Sequence, residues 1–71
     1  MALLAVNVRN QLRGTVKVIV WGDVVSEVEV ETSSGIKTSV TTTQSIKELA
    51  LHIDREVLAL VKATDVSIVK L

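Results

Sequence analysis

The chain has no cysteine and no proline, three glycines, and one aromatic residue, Trp21, in 71 positions. Each scarcity excludes something. Without cysteine there is no disulfide framework and no thiolate metal site. Without proline, no strand is interrupted. A single aromatic residue does not make the stacking platform on which single-stranded nucleic acid is held. Eight basic residues balance eight acidic ones, so the basic footprint of a phosphate-backbone binder is missing as well. No apolar run approaches the ~20 residues of a membrane span. The short apolar segment Met1 to Val6 carries no cationic leader and reads as neither signal peptide nor anchor. The expectation is a cytoplasmic protein with neither a nucleic-acid nor a membrane partner.

What is present is aliphatic. Hydrophobic residues make up 48% of the chain, almost all of them Val, Ile, Leu and Ala, which is more than one small core needs. A chain of this length forms a single domain, residues 1–71, and buries a modest share of its surface. Small domains without covalent staples recover stability by oligomerising, so a homo-oligomer is expected.

Val, Ile and Thr favour strands. Residues 2 to 8 read as a short strand with no evident partner in the chain, an apolar arm suited to a neighbouring subunit. From Thr15 to Val20, Val16, Val18 and Val20 share one face and Thr15, Lys17 and Ile19 the other. Trp21-Gly22-Asp23 is a turn. From Val24 to Glu31, Val28 and Val30 point inward and Glu27, Glu29 and Glu31 toward water, a period of two. Thr32-Ser33-Ser34-Gly35 is a second turn, and Ile36 to Thr42 a third strand. Ser45-Ile46-Lys47-Glu48 fits a capping box, which predicts a short helix from Ser45 to Leu51. Val57 to Lys62 is apolar on both faces, as at a subunit interface. Ala63-Thr64-Asp65 turns the chain into a last strand, Val66 to Leu71. Five strands with a helix between the third and fourth give the order of an all-β, five-stranded OB-like barrel.

The chemistry available is narrow. His52 is the one histidine and falls in a loop beside Asp54 and Arg55. No acid–base pair in a recognisable setting accompanies it, so no enzyme is expected. The three glutamates of the second strand are a solvated face. Donors suited to a tetrahedral oxyanion, which wants hydroxyls, backbone N–H groups and one or two cations, occur in three places. Asn7 and Arg9 precede the first strand, Thr42, Thr43 and Ser45 precede the helix, and Lys62, Ala63 and Thr64 close the fourth strand. Taken by themselves these residues also fit ordinary strand ends.

Three stretches together go further: Arg9-Asn10-Gln11-Leu12-Arg13-Gly14-Thr15-Val16; Thr38-Ser39-Val40-Thr41-Thr42-Thr43-Gln44-Ser45 with Glu48-Leu49; and Val61-Lys62-Ala63-Thr64-Asp65-Val66. In this order, across nearly the whole chain, they resemble the molbindins, the Mop-type TOBE domains. The resemblance implies an OB-like barrel whose amino-terminal strand is exchanged between subunits. It implies dimers, or hexamers built from dimers, that bind molybdate or tungstate at subunit interfaces without chemistry, as intracellular storage or homeostasis. Residue by residue, it implies contacts from Asn7, Arg9, Thr42, Ser45, Lys62, the Ala63 backbone N–H and Thr64. The chain departs from the pattern at Asn7, where a small Ser or Ala is usual, at Val8, and in Ala50 to Glu56, which lacks the glycines often carried there. Two other readings stand beside this one: a structural or regulatory OB-like module without tight anion binding, and an OB module for single-stranded nucleic acid.

Overall fold

The structure, a computed structural model, describes residues 9–71. The expected amino-terminal arm, with Asn7, lies outside the described residues. Four strands and one short helix are formed: β1 (Asn10–Val20), β2 (Val25–Thr32), β3 (Gly35–Thr42), α1 (Thr43–Glu48) and β4 (Glu56–Val61). A single 3-10 turn, Ala63–Asp65, follows. The strands are antiparallel in the order β3-β2-β1-β4 and curl into a half-barrel.

The curl starts at β1, which is long enough to serve two partners. Its first half pairs with β4 and its second half with β2. Gly14 belongs to both ladders, opposite Thr32 and Val57. A Cβ there would lie 2.5 Å from the Glu31 carbonyl oxygen and 2.7 Å from a Val30 methyl, so the crossing needs glycine.

Further along, the register slips between Val16 and Val18, and Lys17 becomes the extra residue of a β-bulge. One inserted residue reverses which side chains face inward. The expected face of Val16, Val18 and Val20 is therefore split. Val16 is fully buried and Ile19 packs on the core, while Val18 and Val20 are exposed. The bulge is held by the loop before β4: the Val16 N–H donates to the Arg55 carbonyl at 2.9 Å, and the Asp54 N–H to the Val16 carbonyl at 2.8 Å.

The core is Val16, Val28, Val30 and Ile46, with Ile19, Leu51 and Val57 packed against it. Val28 and Val30 face inward as the alternation of β2 predicts. Among the described residues, four buried aliphatic side chains are few for so apolar a sequence. Val24, Val25, Val40, Ile68, Val69 and Leu71 are all exposed. On the concave side a trough of about 360 Å³ separates β3 from β4.

Two further expectations change. The helix begins at Thr43 rather than Ser45, because Thr42 and not Ser45 is its N-cap. The strand expected over Val66 to Leu71 is not formed among the described residues, which contain four strands rather than five. Ile68, Val69 and Leu71 are almost fully exposed and no sheet edge of the described chain is paired with them.

Candidate functional site

Thr42 ends β3 in extended conformation and caps α1. Its Oγ1 accepts the Ser45 N–H at 3.2 Å and donates to Ser45 Oγ at 2.6 Å. The capping pair is thus Thr-x-x-Ser, shifted three residues from the predicted Ser-x-x-Glu box. Thr42 spends its proton on Ser45, and the Ser45 hydroxyl proton remains for an outside acceptor. Thr42 borders an open notch of about 440 Å³ whose other walls are Asp23, Val24, Gln44 and Glu48. Two carboxylates and no cation line it.

Beneath this pair lies a buried network of Thr43, which the sequence groups with the exposed donors but the structure buries, and Ser26, which the sequence does not single out. Thr43 Oγ1 donates to the Gly22 carbonyl at 2.7 Å and lies 2.6 Å from Ser26 Oγ. Its one proton being committed, Ser26 must be the donor of that second bond. Ser26 Oγ in turn accepts the Gly22 N–H at 3.0 Å. The Thr43 N–H donates to the Val24 carbonyl at 2.8 Å. Among the described residues, no buried side-chain polar atom lacks a partner. Ser26 sits at an inward position of β2, in step with Val28 and Val30, which was the available signal.

The remaining candidates lie elsewhere. Arg9 is exposed and immediately precedes β1. Lys62 is exposed and caps the 3-10 turn through its carbonyl, which accepts the Asp65 N–H at 2.9 Å. Ala63 and Thr64 form the first part of that turn and are exposed; the leading N–H groups of such a turn have no partner within it. Asn10 pairs with Val61, so Arg9 and Lys62 sit at one end of the sheet. Thr42 pairs with Val25, and β2 runs antiparallel to β1 with Glu27 opposite Val20. This puts Thr42 and Ser45 at the other end. Between the two ends run the 11 residues of β1, a contour of about 35 Å at ~3.3 Å per residue. The chain therefore gathers hydroxyls beside carboxylates at one end, and cations with backbone N–H groups at the other.

His52 is exposed, with Nδ1 3.0 Å from the Ile53 carbonyl, as its loop position implies. Among the described residues no group of acidic, His or Cys side chains is arranged to hold a metal ion, and no helix is long and apolar enough to cross a membrane.

Residues 7–68 match the family model of the TOBE domain. Molybdenum-pterin-binding protein 2 of Clostridium pasteurianum is 39% identical over 66 residues, covering 92% of this chain and 97% of that protein. A molybdate-binding protein from Sporomusa ovata superposes with a TM-score of 0.87 at 34% identity, over 92% of this chain and 97% of that one. The cytoplasmic molybdate-binding protein ModG, solved with molybdate bound, gives a TM-score of 0.80 at 36% identity, over 84% of this chain and 43% of its own. With the family model matched over residues 7–68 and a relative 39% identical over nearly its whole length, this chain belongs to the TOBE domain family.

Proposed function

We propose that this protein binds molybdate or tungstate, without making or breaking a bond, at composite sites formed where copies of the chain meet. Its role on this reading is cytoplasmic storage and homeostasis of the anion. The observation that carries it is the division of donors between the two ends of one chain. The end holding Thr42 and Ser45 carries Asp23 and Glu48 on its notch, has Lys47 as the one cation of α1, and lacks Arg9 and Lys62. The end holding Arg9, Lys62, Ala63 and Thr64 supplies cations and N–H donors but lacks the Thr42–Ser45 pair. Bringing one copy's cationic end to another's hydroxyl end completes a donor set and offsets the carboxylates. Charge-assisted bonds of this kind are the strong ones.

The exposed aliphatic surface supports assembly. Exposed apolar surface of this extent on a small domain marks an interaction site, and Val66 to Leu71 has the composition of a strand and no strand partner among the described residues. The assembly proposed is a homo-oligomer based on dimers, up to a hexamer, with the amino-terminal strand exchanged between subunits and Asn7 contributing to the site. The relatives named for molybdate or molybdenum-pterin binding support the choice of ligand.

Equilibrium dialysis with molybdate, with sulfate as competitor, tests the function, and sedimentation of the same samples tests the assembly. Saturable molybdate binding that excess sulfate does not displace, by an oligomer, is the expected result. An oligomer without anion affinity would instead favour a structural or regulatory module.

A further inference from the structure

The buried hydroxyl network has no place in anion contact, yet it is fixed in every bond. Thr43 Oγ1 has its proton on Gly22 and accepts from Ser26; its N–H is spent on Val24. Thr43 is 7% exposed and Ser26 3%, so neither reaches a ligand. A Val at 43 would fill the same space, and an Ala at 26 would be apolar. Packing alone does not call for hydroxyls here. Burying them carries a cost unless each finds a partner, and each does.

What the network joins is informative. It ties the β1–β2 turn, through both polar atoms of Gly22, to the start of β2 and to the first residue of α1. Gly22 admits no side chain, since a Cβ there would collide with the Val25 carbonyl; its backbone is therefore held close to Ser26. Thr42 directly precedes the anchored Thr43. Thr42 is held on one side by its pairing with Val25 in the β2–β3 ladder and on the other by the bonds of Thr43, so the exposed Thr42–Ser45 hydroxyl pair is placed by these bonds rather than by packing of the Thr42 side chain.

Resting on the anion-binding reading above, we propose that Ser26 and Thr43 are positioning residues for the oxyanion site, holding Thr42 and Ser45 at the spacing a tetrahedral dianion requires. Hydrogen-bonded sites discriminate by geometry, and a supporting shell that loosens donors by about an ångström degrades recognition far more than folding. Size selection between molybdate and the smaller sulfate is the property most exposed to such loosening.

The test uses the full-length oligomer and measures molybdate and sulfate dissociation constants by calorimetry for wild type, Thr43→Val, Thr43→Ser and Ser26→Ala. Thr43→Val is expected to weaken molybdate binding tenfold or more and to lower the molybdate-to-sulfate preference, with oligomer mass unchanged. Thr43→Ser, which keeps the hydroxyl, is expected to stay within about twofold of wild type. A merely structural role would lower the melting temperature but leave the preference between the two anions where it was. Wild-type affinity and preference in an assembled Thr43→Val protein would overturn the proposal. If Thr43→Val does not assemble, Ser26→Ala decides it: a loss of threefold or more supports it, and wild-type binding overturns it. Absence of molybdate binding in the wild type overturns the anion-binding reading itself, a distinct result read in the same series.

Discussion

Asn10 faces Val61 at the outermost rung of the β1–β4 ladder, which makes Arg9 and Lys62 the next residues outward on the two strands. Two cations thus share one sheet end, and among the described residues neither is in an ion pair. Removing either one disturbs little of the fold. Hydrogen bonds to charged groups contribute about 1.5–3 kcal/mol each, so Lys62→Ala is expected to weaken molybdate binding roughly tenfold to a hundredfold. Arg9→Ala should behave alike. Calorimetry gives the affinity and sedimentation verifies that the assembly is intact; undiminished affinity in Lys62→Ala would remove that side chain from the site.

The opposite end predicts a change of the other sign. Glu48 lines the notch that Thr42 borders, and a carboxylate near a bound dianion opposes it through solvent at a modest energy. Glu48→Gln keeps size and hydrogen-bonding capacity while deleting the charge. It should tighten molybdate binding about two- to fivefold at low ionic strength, with the gain shrinking as salt is raised toward 1 M, where the screening length is ~3 Å. Asp23→Asn is expected to act in the same direction. A salt titration of both variants against wild type checks this, and weaker binding in Glu48→Gln would mean that Glu48 holds the notch in shape rather than opposing the anion.

Much of the fold was readable because β2 obeys a strict period of two. Val28 and Val30 are inside and the intervening glutamates outside, and the turns at Gly22 and Gly35 fall where glycine permits them. The alternation of β1 misleads for a physical reason. The bulge at Lys17 comes from the loop bonds of Arg55 and Asp54 to Val16, and a contact across some forty residues leaves no mark in local periodicity. The helix start was misplaced because Ser45 and Thr42 both suit a cap; the burial of Thr43 against Gly22 and Ser26 decides between them. Val66 to Leu71 has the composition of a strand, but strand formation needs an edge to pair with, and that lies outside the local sequence. The donors of the candidate site were found as residue types. Their division between two ends of one chain required the register.

Gly14 is where β1 passes from one partner to the other. The atoms that a side chain would meet include the Glu31 backbone carbonyl, which cannot step aside without breaking the β1–β2 ladder. Overpacking of this kind costs about 1–3 kcal/mol, and more where backbone must move. Gly14→Ala is therefore expected to lower the urea midpoint markedly, or to prevent soluble expression. Measurements need equal protein concentrations, since assembly and folding are linked. A midpoint within error of wild type would show that the crossing is looser than its contacts imply.

Ala50 predicts the reverse, a stabilising glycine. It has φ 54°, in the left-handed region that costs a non-glycine residue about 1–2 kcal/mol. The reason is the way α1 ends. With Leu49 as C-cap, the Ala50 N–H donates to the Lys47 carbonyl and the Leu51 N–H to the Ile46 carbonyl, both at 3.1 Å. That is the Schellman pattern, completed by Leu51 and Ile46 meeting in the core. Its left-handed position is where glycine is favoured, and this chain places alanine there. Ala50→Gly relieves the strain but adds freedom to the unfolded chain, which returns about 0.4–1 kcal/mol. The net expectation is a gain of about 0.5–1 kcal/mol, read as a higher denaturation midpoint with molybdate affinity unchanged. Asp54, at φ 73°, should gain less from the same change, because aspartate tolerates this region better than alanine. If Ala50→Gly lowers the midpoint instead, the unfolded-state term outweighs the strain, and alanine is there as the better compromise.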